Sequence, residues 1–208
     1  MSEEKSSPIG IIIIVFVAAV FVGCESNNHP ETTNKNEQPA AKPAEPAKPK
    51  APVFDSSKND HRLIEAKVRR RLNKPGGALT VEDLAKVKDL HYYKGQISDL
   101  SALKNATGLE RLLFPLNHIS DLAPLSGLKN LNFLELNRNR ISDLTPLAGL
   151  TNLKSLDLAA NQITDLTSLA GLKQLTTLSL LENPKLTRAQ IDELQKALPN
   201  CVIHHDAK

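Results

Sequence analysis

Apolar and polar positions recur with one fixed period along much of this chain. Leu131, Leu134, Leu136 and Asn139 form the pattern L-x-x-L-x-L-x-x-N, which begins again at Leu153. The period is 22 residues, because one setting, I-[ST]-D-L, recurs around Asp99, Asp121, Asp143 and Asp165. Alternating leucines predict a short strand with one buried face. A fixed period of this length predicts a stack of similar coils, each with a strand, a turn and a short irregular or 3₁₀ segment.

The same alignment predicts what holds one coil to the next. A second apolar set follows each strand, as in Ile141, Leu144, Leu147 and Leu150, so the returning half of each coil also faces inward. One coil buries about seven aliphatic side chains at roughly 2 kcal/mol each, whereas ordering its backbone costs at least about 1 kcal/mol per residue. A single coil therefore cannot fold alone, and stacking must merge the apolar sets into one core. Because an amide both donates and accepts, we expect a buried inter-coil ladder from the recurring Asn117, Asn139, Asn161 and Asn183.

The segment from Asn139 to Leu153 reads N-R-I-S-D-L-T-P-L-A-G-L-T-N-L. It resembles the 22-residue class of bacterial leucine-rich repeats, of which the internalins are the best-known group. Departures gather at the ends of the array, with Gly95 in place of Asn, Asn105 in place of Gly and Lys185 in place of Ile. The resemblance implies an α/β solenoid with about five coils in residues 87–186, a parallel sheet on the concave face and short helical caps at both ends.

Residues 59–86 are predicted to form the N-terminal cap. Asn59 or Asp60 can start a helix that Pro75-Gly76-Gly77 would stop, and a capping box at Thr80 to Asp83 predicts a second short helix. The first helix is strongly basic, so it either faces an anionic lipid or polymer or presents a solvated polar face. The second interpretation is favoured, because no aromatic residues are interleaved with the cations.

Residues 187–208 are predicted to form the C-terminal cap. A capping box begins at Thr187, and Ile191, Leu194 and Leu198 give a helical stripe that can cover the last coil. The segment around Cys201 is expected to add a final edge strand, with the cysteine as a small buried apolar residue.

The N-terminus predicts an envelope location. The apolar run that ends at residue 23 is typical of a signal peptide, assigned to residues 1–23. Phe21-Val22-Gly23-Cys24 resembles a bacterial lipobox, which implies cleavage and acylation of Cys24. An uncleaved single transmembrane anchor is the alternative. Residues 24–58 would then be a linker whose Pro39–Pro52 segment is polyproline-like and reaches about 43 Å at ~3.1 Å per residue. The expected location is the bacterial cell envelope, on a membrane, periplasmic or surface-exposed.

Recognition is expected on the concave strand face, where side chains between the buried leucines project outward. Tyr93, Leu113, Pro115 and Phe133 are predicted to lie in register and form an apolar patch, or else to shield the junction with the cap. Five strands give this face an area of roughly 300 Å², below the roughly 800 Å² per partner of a stable interface. The partner-binding candidates are His91, Tyr93, Arg111, Leu113, Pro115, Phe133, Glu135, Asn137, Arg138 and Asp157, with Ser179 and Leu181 further along the face.

Composition and motifs argue against catalysis, metal binding and nucleic-acid binding. The chain has no HExxH, G-x-S-x-G or phosphate-cradling glycine loop, so no enzyme activity, cofactor or metal is expected. Glu135 and Asp157 lie one coil apart, but no pocket that would raise either pKa is predicted. The Asp column is expected to accept local backbone N–H groups rather than Ca²⁺. With 26 basic and 23 acidic residues, no basic field favours nucleic acid.

The sequence thus predicts a monomeric, membrane-anchored repeat module that binds an unidentified protein or peptide. The alternative is a structural envelope component that binds peptidoglycan or another polymer.

Overall fold

The structure is a computed structural model that describes residues 53–208. The predicted signal peptide, the acylation site at Cys24 and the linker up to residue 52 lie outside the described residues. None of the helices between residues 53 and 208 has the length and apolar composition that a membrane span requires.

A parallel sheet of six three-residue strands runs along one side of the described chain in the order β1 to β6. Each strand pairs with the next, and the register places Leu90 beside Leu112 and Leu112 beside Leu134. On the returning half of four coils, 3₁₀ turns cover Ser101–Leu103, Ala123–Leu125, Thr145–Leu147 and Thr167–Leu169. The strands are β1 Asp89–His91, β2 Arg111–Leu113, β3 Phe133–Glu135, β4 Ser155–Asp157, β5 Thr177–Ser179 and β6 Val202–His204.

The leucine and isoleucine columns converge on one continuous core, as the repeat pattern predicts. Ile97, Ile119, Ile141 and Ile163 occupy equivalent positions and are all fully buried. Lys185, which stands at the next position of that column, is exposed, and Leu186 is buried instead. The α/β solenoid with a parallel sheet and helical caps is therefore confirmed. About five coils were expected, and the sixth strand comes from the C-terminal cap.

Helix α1 (Asn59–Leu72) packs against β1 and the first 3₁₀ turn. The helix begins at Asn59, one of the two predicted starts, although Lys58 and neither of those residues occupies the N-cap position, without a side-chain cap bond. The Asp60 carboxylate instead accepts hydrogen bonds from the backbone N–H groups of Ser98 and Asp99, both at 2.8 Å. It therefore attaches the cap to the first coil.

The end of α1 also differs from the prediction. Asn73, and not the Pro75-Gly76-Gly77 stop, ends the helix in a left-handed conformation with φ of 49°. The Lys74 N–H then donates to the Arg69 carbonyl at 3.0 Å, which satisfies a carbonyl of the last turn.

Both predicted capping boxes are present. Thr80 caps α2 (Val81–Leu84) together with Asp83, and Thr187 caps α3 (Arg188–Ala197) together with Gln190. The hydrogen bond from Lys74 and the backbone bond from Thr80 lower the pKa of Asp83 to about 2. At the other end, α3 covers the last coil, and the chain then adds β6 with Cys201 buried beside it.

The Asp column forms the turns before the 3₁₀ segments. The carboxylate of Asp121 accepts the Ala123 N–H at 2.8 Å, and that of Asp143 accepts the Thr145 N–H at 2.8 Å. The same bond recurs from Thr167 to Asp165 at 2.8 Å and from Ser101 to Asp99 at 2.7 Å. The prediction that these carboxylates accept local backbone N–H groups is confirmed.

The repeat has asparagine at the position of Gly95, and the packing of the Tyr92 ring explains why glycine stands there instead. A Cβ at this position would lie within the ring of Tyr92, well inside contact distance. The Tyr92 ring lies 6.2 Å from the Phe114 ring, and the ammonium of Lys67 lies 5.2 Å above it. The missing side chain thus makes room for the contact between the cap helix and the first coil.

Candidate functional site

The outward face of the six-stranded sheet, called the strand face below, carries its side chains in columns that run across the strands. The strand register gives one column of Asp89, Arg111, Phe133, Ser155, Thr177 and Val202. A second column contains His91, Leu113, Glu135, Asp157, Ser179 and His204. Just past the strands, the repeat period aligns Tyr93, Pro115, Asn137, Ala159 and Leu181.

The predicted apolar patch is only partly assembled. Tyr93, Leu113 and Phe133 fall in three different columns. The prediction that they lie in register is therefore wrong. Pro115 is buried, although Tyr93 and Leu181 at the equivalent positions are exposed, and its carbonyl accepts a 3.0 Å hydrogen bond from the buried Asn117 amide. Leu113 and Phe133 are half-buried, whereas Tyr93 is 55% exposed. Tyr93 is therefore the main apolar group that this end of the strand face offers.

Arg111 connects two neighbours in the first column. Its guanidinium lies 3.3 Å from the Asp89 carboxylate and 5.5 Å from the centre of the Phe133 ring. These contacts hold an exposed cation in one place on the strand face. An aromatic ring with a cation at its face is a compact recognition element, because both groups can contact a partner while the ion pair fixes their geometry.

The middle of the strand face is acidic. Glu135 and Asp157 are register partners on β3 and β4. Partial burial, followed by the Asp157 carboxylate, raises the pKa of Glu135. The sequence implied no buried pocket that would raise either pKa, and the shift of Glu135 comes instead from partial burial on the strand face itself.

Two further candidates lie beside these columns. Arg138 is exposed and has a positive φ of 57°, and its backbone N–H donates to the Ala159 carbonyl at 2.8 Å. The side-chain oxygen of Asn137 is buried without a hydrogen-bond partner among the described residues. His91 lies at the far end, where its ring is 6.3 Å from that of Tyr93.

The four recurring asparagines lie behind the strand face, each less than a tenth exposed. The Asn139 amide nitrogen donates to the Phe114 carbonyl at 3.0 Å, and its oxygen accepts the Ile119 N–H at 3.0 Å. Asn161 repeats this geometry one coil later, with bonds of 3.0 Å to the Leu136 carbonyl and 2.9 Å from the Ile141 N–H. Asn183 does so again, and Asn117 accepts from two N–H groups in the first coil. The side chains thus join adjacent coils.

One cluster was missed by the sequence reasoning. His61 is buried, its Nε2 lies 2.8 Å from the Ser101 hydroxyl, and the Asp99 carboxylate is 3.6 Å away. The backbone N–H of Asp55 donates to Nδ1 at 2.9 Å, so Nε2 carries the ring proton. The ring therefore donates to Ser101 and cannot accept its proton, and the cluster attaches the cap to the first coil.

The described part of the chain offers no cluster of metal ligands. Within residues 53–208, no three His, Cys, Asp or Glu side chains are grouped so that they could hold an ion. The Asp column shows the reason, because each carboxylate is already bonded to its own turn.

Comparison with known proteins agrees with this architecture. Residues 107–149 and 151–196 match the model for leucine-rich repeats in two copies, and a search of curated proteins returned no match. The chain is similar to the internalin InlF from Listeria monocytogenes, with 27% identity and a TM-score of 0.66 over 75% of this chain and 45% of that one. It is also similar to a leucine-rich repeat protein from Leptospira interrogans, with 31% identity and a TM-score of 0.55 over 59% of this chain and 32% of that one.

These matches support the repeats and the fold. The chain carries leucine-rich repeats, and its fold is a leucine-rich repeat solenoid with structural similarity to Listeria internalins. It spans less than half the length of each solved structure just described. Leucine-rich repeats of this type generally mediate protein–protein interaction.

Proposed function

We propose that this protein is a membrane-anchored module that binds a protein or peptide partner in the bacterial envelope or at the cell surface through its strand face. The observation that carries the proposal is the ordered set of different side chains on that face, with Tyr93, Arg111 and Phe133 at one end and Glu135 and Asp157 in the middle. Side chains that served only to shield the core would not need an exposed tyrosine or a cation fixed over a ring.

The charge distribution indicates what a partner should present. The Arg111 guanidinium and the Phe133 ring can take an acidic or aromatic group, and the Glu135 and Asp157 carboxylates can take a lysine or arginine. A cationic side chain beside the two carboxylates would also relieve the repulsion that contributes to the raised pKa of Glu135. An extended segment with a cation next to an aromatic or acidic residue therefore complements the face.

The size of the face limits the affinity that it can supply. The area of the strand face is roughly 400 Å², from six strands spaced about 4.8 Å apart and about four outward residues per strand at ~3.3 Å each. A stable interface needs roughly 800 Å² per partner. The partner must also contact the sides of the coils, or several anchored copies must act together through avidity.

Anchoring belongs to the same proposal and is supported by the sequence alone. Residues 1–23 would be the signal peptide, Cys24 the acylated N-terminus, residues 24–58 the linker, 59–86 and 187–208 the caps and 87–186 the repeats. Metabolic labelling with an alkyne fatty acid should mark the wild-type chain and not Cys24→Ser. Equal labelling of both would refute acylation at this residue.

The binding experiment uses the full chain, solubilised in a non-ionic detergent, to capture envelope extract from the source cells. The test variant combines Tyr93→Ala, Arg111→Ala and Phe133→Ala, and the control combines Val81→Ala with Lys104→Ala, which are exposed and lie off the strand face. Captured proteins are identified by mass spectrometry, and captured peptidoglycan is measured by its muramic acid.

The proposal expects a specific protein that the control variant retains and the test variant loses, while both keep the wild-type melting temperature. Retention of the same protein by the test variant would refute binding through the strand face. Retention of polymer alone, equal in all three chains, would instead support the structural envelope role.

A further inference from the structure

A second feature lies outside the strand face, where the C-terminal half of α1 meets β1. A cavity of about 410 Å³, called the basic cleft below, is lined by Lys67, Arg70, Arg71, Leu90 and His91. Four of these five residues carry nitrogen donors. The cleft is thus a concave site, separate from the strand-face columns except for His91.

Cations at the C-terminal end of a helix usually stabilise it by interacting with its last carbonyl groups. Among the arginines in the last turn of α1, only Arg69 does so. Arg69 pairs with Glu65 at 2.7 Å and donates to the Lys74 and Gly77 carbonyls at 3.3 and 2.9 Å, so it stabilises the helix end. The Arg70 side chain makes no hydrogen bond or ion pair with any residue in the described part of the chain, although its backbone carbonyl accepts the Asn73 N–H. Arg70 and Arg71 are both exposed, and Arg71 has guanidinium N–H groups besides the one that lies against His91, so both can bind a ligand.

His91 is arranged as a hydrogen-bond donor. Its Nδ1 lies 2.9 Å from a guanidinium nitrogen of Arg71. Because arginine can only donate, Nδ1 must accept, and the ring proton lies on Nε2. Partial burial, and then the nearby charges of Arg71 and Lys67, lower the pKa of His91, so the ring is neutral at pH 7.

The acidic groups near the basic cleft are engaged elsewhere. Asp89 pairs with Arg111 at 3.3 Å, and Glu65 pairs with Arg69. The Lys67 ammonium lies over the Tyr92 ring, which is a partner without net charge. Three cations therefore share one concave surface without a carboxylate of their own, an arrangement that a bound anion would stabilise.

We propose that the basic cleft binds a phosphate group. Guanidinium groups donate in a planar fork that matches phosphate oxygens, the Lys67 ammonium adds a third positive charge, and the His91 ring adds a neutral donor. The cavity is larger than a bare phosphate ion, so it suits a phosphate carried on a small polar group. Such a group occurs on free metabolites and on phospholipid headgroups, and the chemistry recognised is the same.

The test is calorimetric titration of the full chain in non-ionic detergent at pH 7 and constant ionic strength. The probes are inorganic phosphate, glycerol 3-phosphate and glycerophosphoglycerol, a soluble phospholipid headgroup, with chloride as the reference anion. The test variant is Arg70→Gln with Arg71→Gln. The control is Arg62→Gln with Lys104→Gln, which removes the same charge from exposed positions outside the cleft.

Saturable binding of at least one phosphate probe is expected, with affinity about tenfold lower in the test variant and within about twofold of wild type in the control. The tightest probe identifies the source, because glycerophosphoglycerol indicates a lipid headgroup and the other two indicate a free phosphate compound. Lys67→Met, which keeps an unbranched side chain over Tyr92, should also weaken binding. Absence of saturable binding, or equal weakening in the test and control variants, would overturn the proposal. Because none of these substitutions touches Tyr93 or Phe133, loss of phosphate binding is distinguishable from loss of the protein partner.

Discussion

Replacing Asn139 by alanine tests the ladder between coils at its middle. The side chain is 8% exposed and joins three segments of the chain. It donates to the Phe114 carbonyl at 3.0 Å and the Leu136 carbonyl at 2.9 Å, and it accepts the Ile119 N–H at 3.0 Å. The substitution removes these bonds from the interior and adds no new group that could replace them.

The loss in free energy of unfolding depends on which backbone groups are left without a hydrogen-bond partner. The Ile119 N–H would be left unpaired in the core, which costs about 1–3 kcal/mol. The two carbonyls keep a second amide, since Asn117 donates to Phe114 at 3.2 Å and Asn161 donates to Leu136 at 3.0 Å. Their loss is therefore smaller, about 0.5–1 kcal/mol together. The free energy of unfolding should fall by about 1.5–4 kcal/mol. A loss in the middle of that range lowers the melting temperature by about 5–11 °C, at ~2–4 °C per kcal/mol.

Thermal unfolding followed by circular dichroism at pH 7 measures this change, and the chain supplies a matched control two residues away. Asn137 carries the same side chain in the same coil, but its oxygen is buried without a partner, so Asn137→Ala removes no bond to that oxygen. It should alter the melting temperature by less than about 2 °C. An Asn139→Ala chain that melts with wild type, or an Asn137→Ala chain that loses as much, would refute the reasoning.

Three other substitutions test separate parts of the structure. Gly95→Asn restores the repeat consensus and should nevertheless cost about 1–3 kcal/mol in chemical denaturation, because the new Cβ meets the Tyr92 ring, and adding Tyr92→Leu should recover most of the loss. Glu135→Gln should raise the melting temperature at pH 7 by a few degrees at most. A raised carboxyl pKa destabilises the folded chain as pH rises above the ordinary value of 4.5, so the gain should vanish in melts below that pH, and a constant gain would contradict the burial argument. Asp60→Ala removes the acceptor for the Ser98 and Asp99 N–H groups and should cost about 1–2 kcal/mol, with faster hydrogen exchange in α1 while β4 and β5 stay protected. Uniformly faster exchange would argue against a local attachment.

The repeat pattern was enough to predict the solenoid, because the contacts that form each coil are made by residues close together in sequence and recur in every coil. The buried isoleucine column, the Asp turns and both capping boxes depend on residues within a few positions of one another. The attachment of the N-terminal cap does not, since Asp60 meets Ser98 across 38 residues and His61 meets Ser101 across 40. No periodicity signals such a contact.

The candidate site was predictable in its residues but less so in its arrangement. Alternation placed Arg111, Phe133 and Glu135 on the outward face, and the structure has them there. It could not tell that Pro115, which lies past the end of β2, is buried while Tyr93 at the equivalent position is exposed. The Gly95 departure was visible in the sequence, but its reason was not, because the Tyr92 ring that fills the space is held from the other side by the cap helix.

The uniform register of the sheet has a consequence for how this protein can change. From β1 to β5 each strand residue pairs with the residue 22 positions later, as Asp89 does with Arg111 and Arg111 with Phe133. Duplicating one whole unit in the middle would therefore give every neighbour an equivalent neighbour, lengthen the recognition surface by one strand and leave both ends intact. The last step is different, since Thr177 pairs with Val202 across 25 residues. A whole unit can thus be added within the array but not at its last step, so the strand face can be lengthened by duplication without a change to either cap.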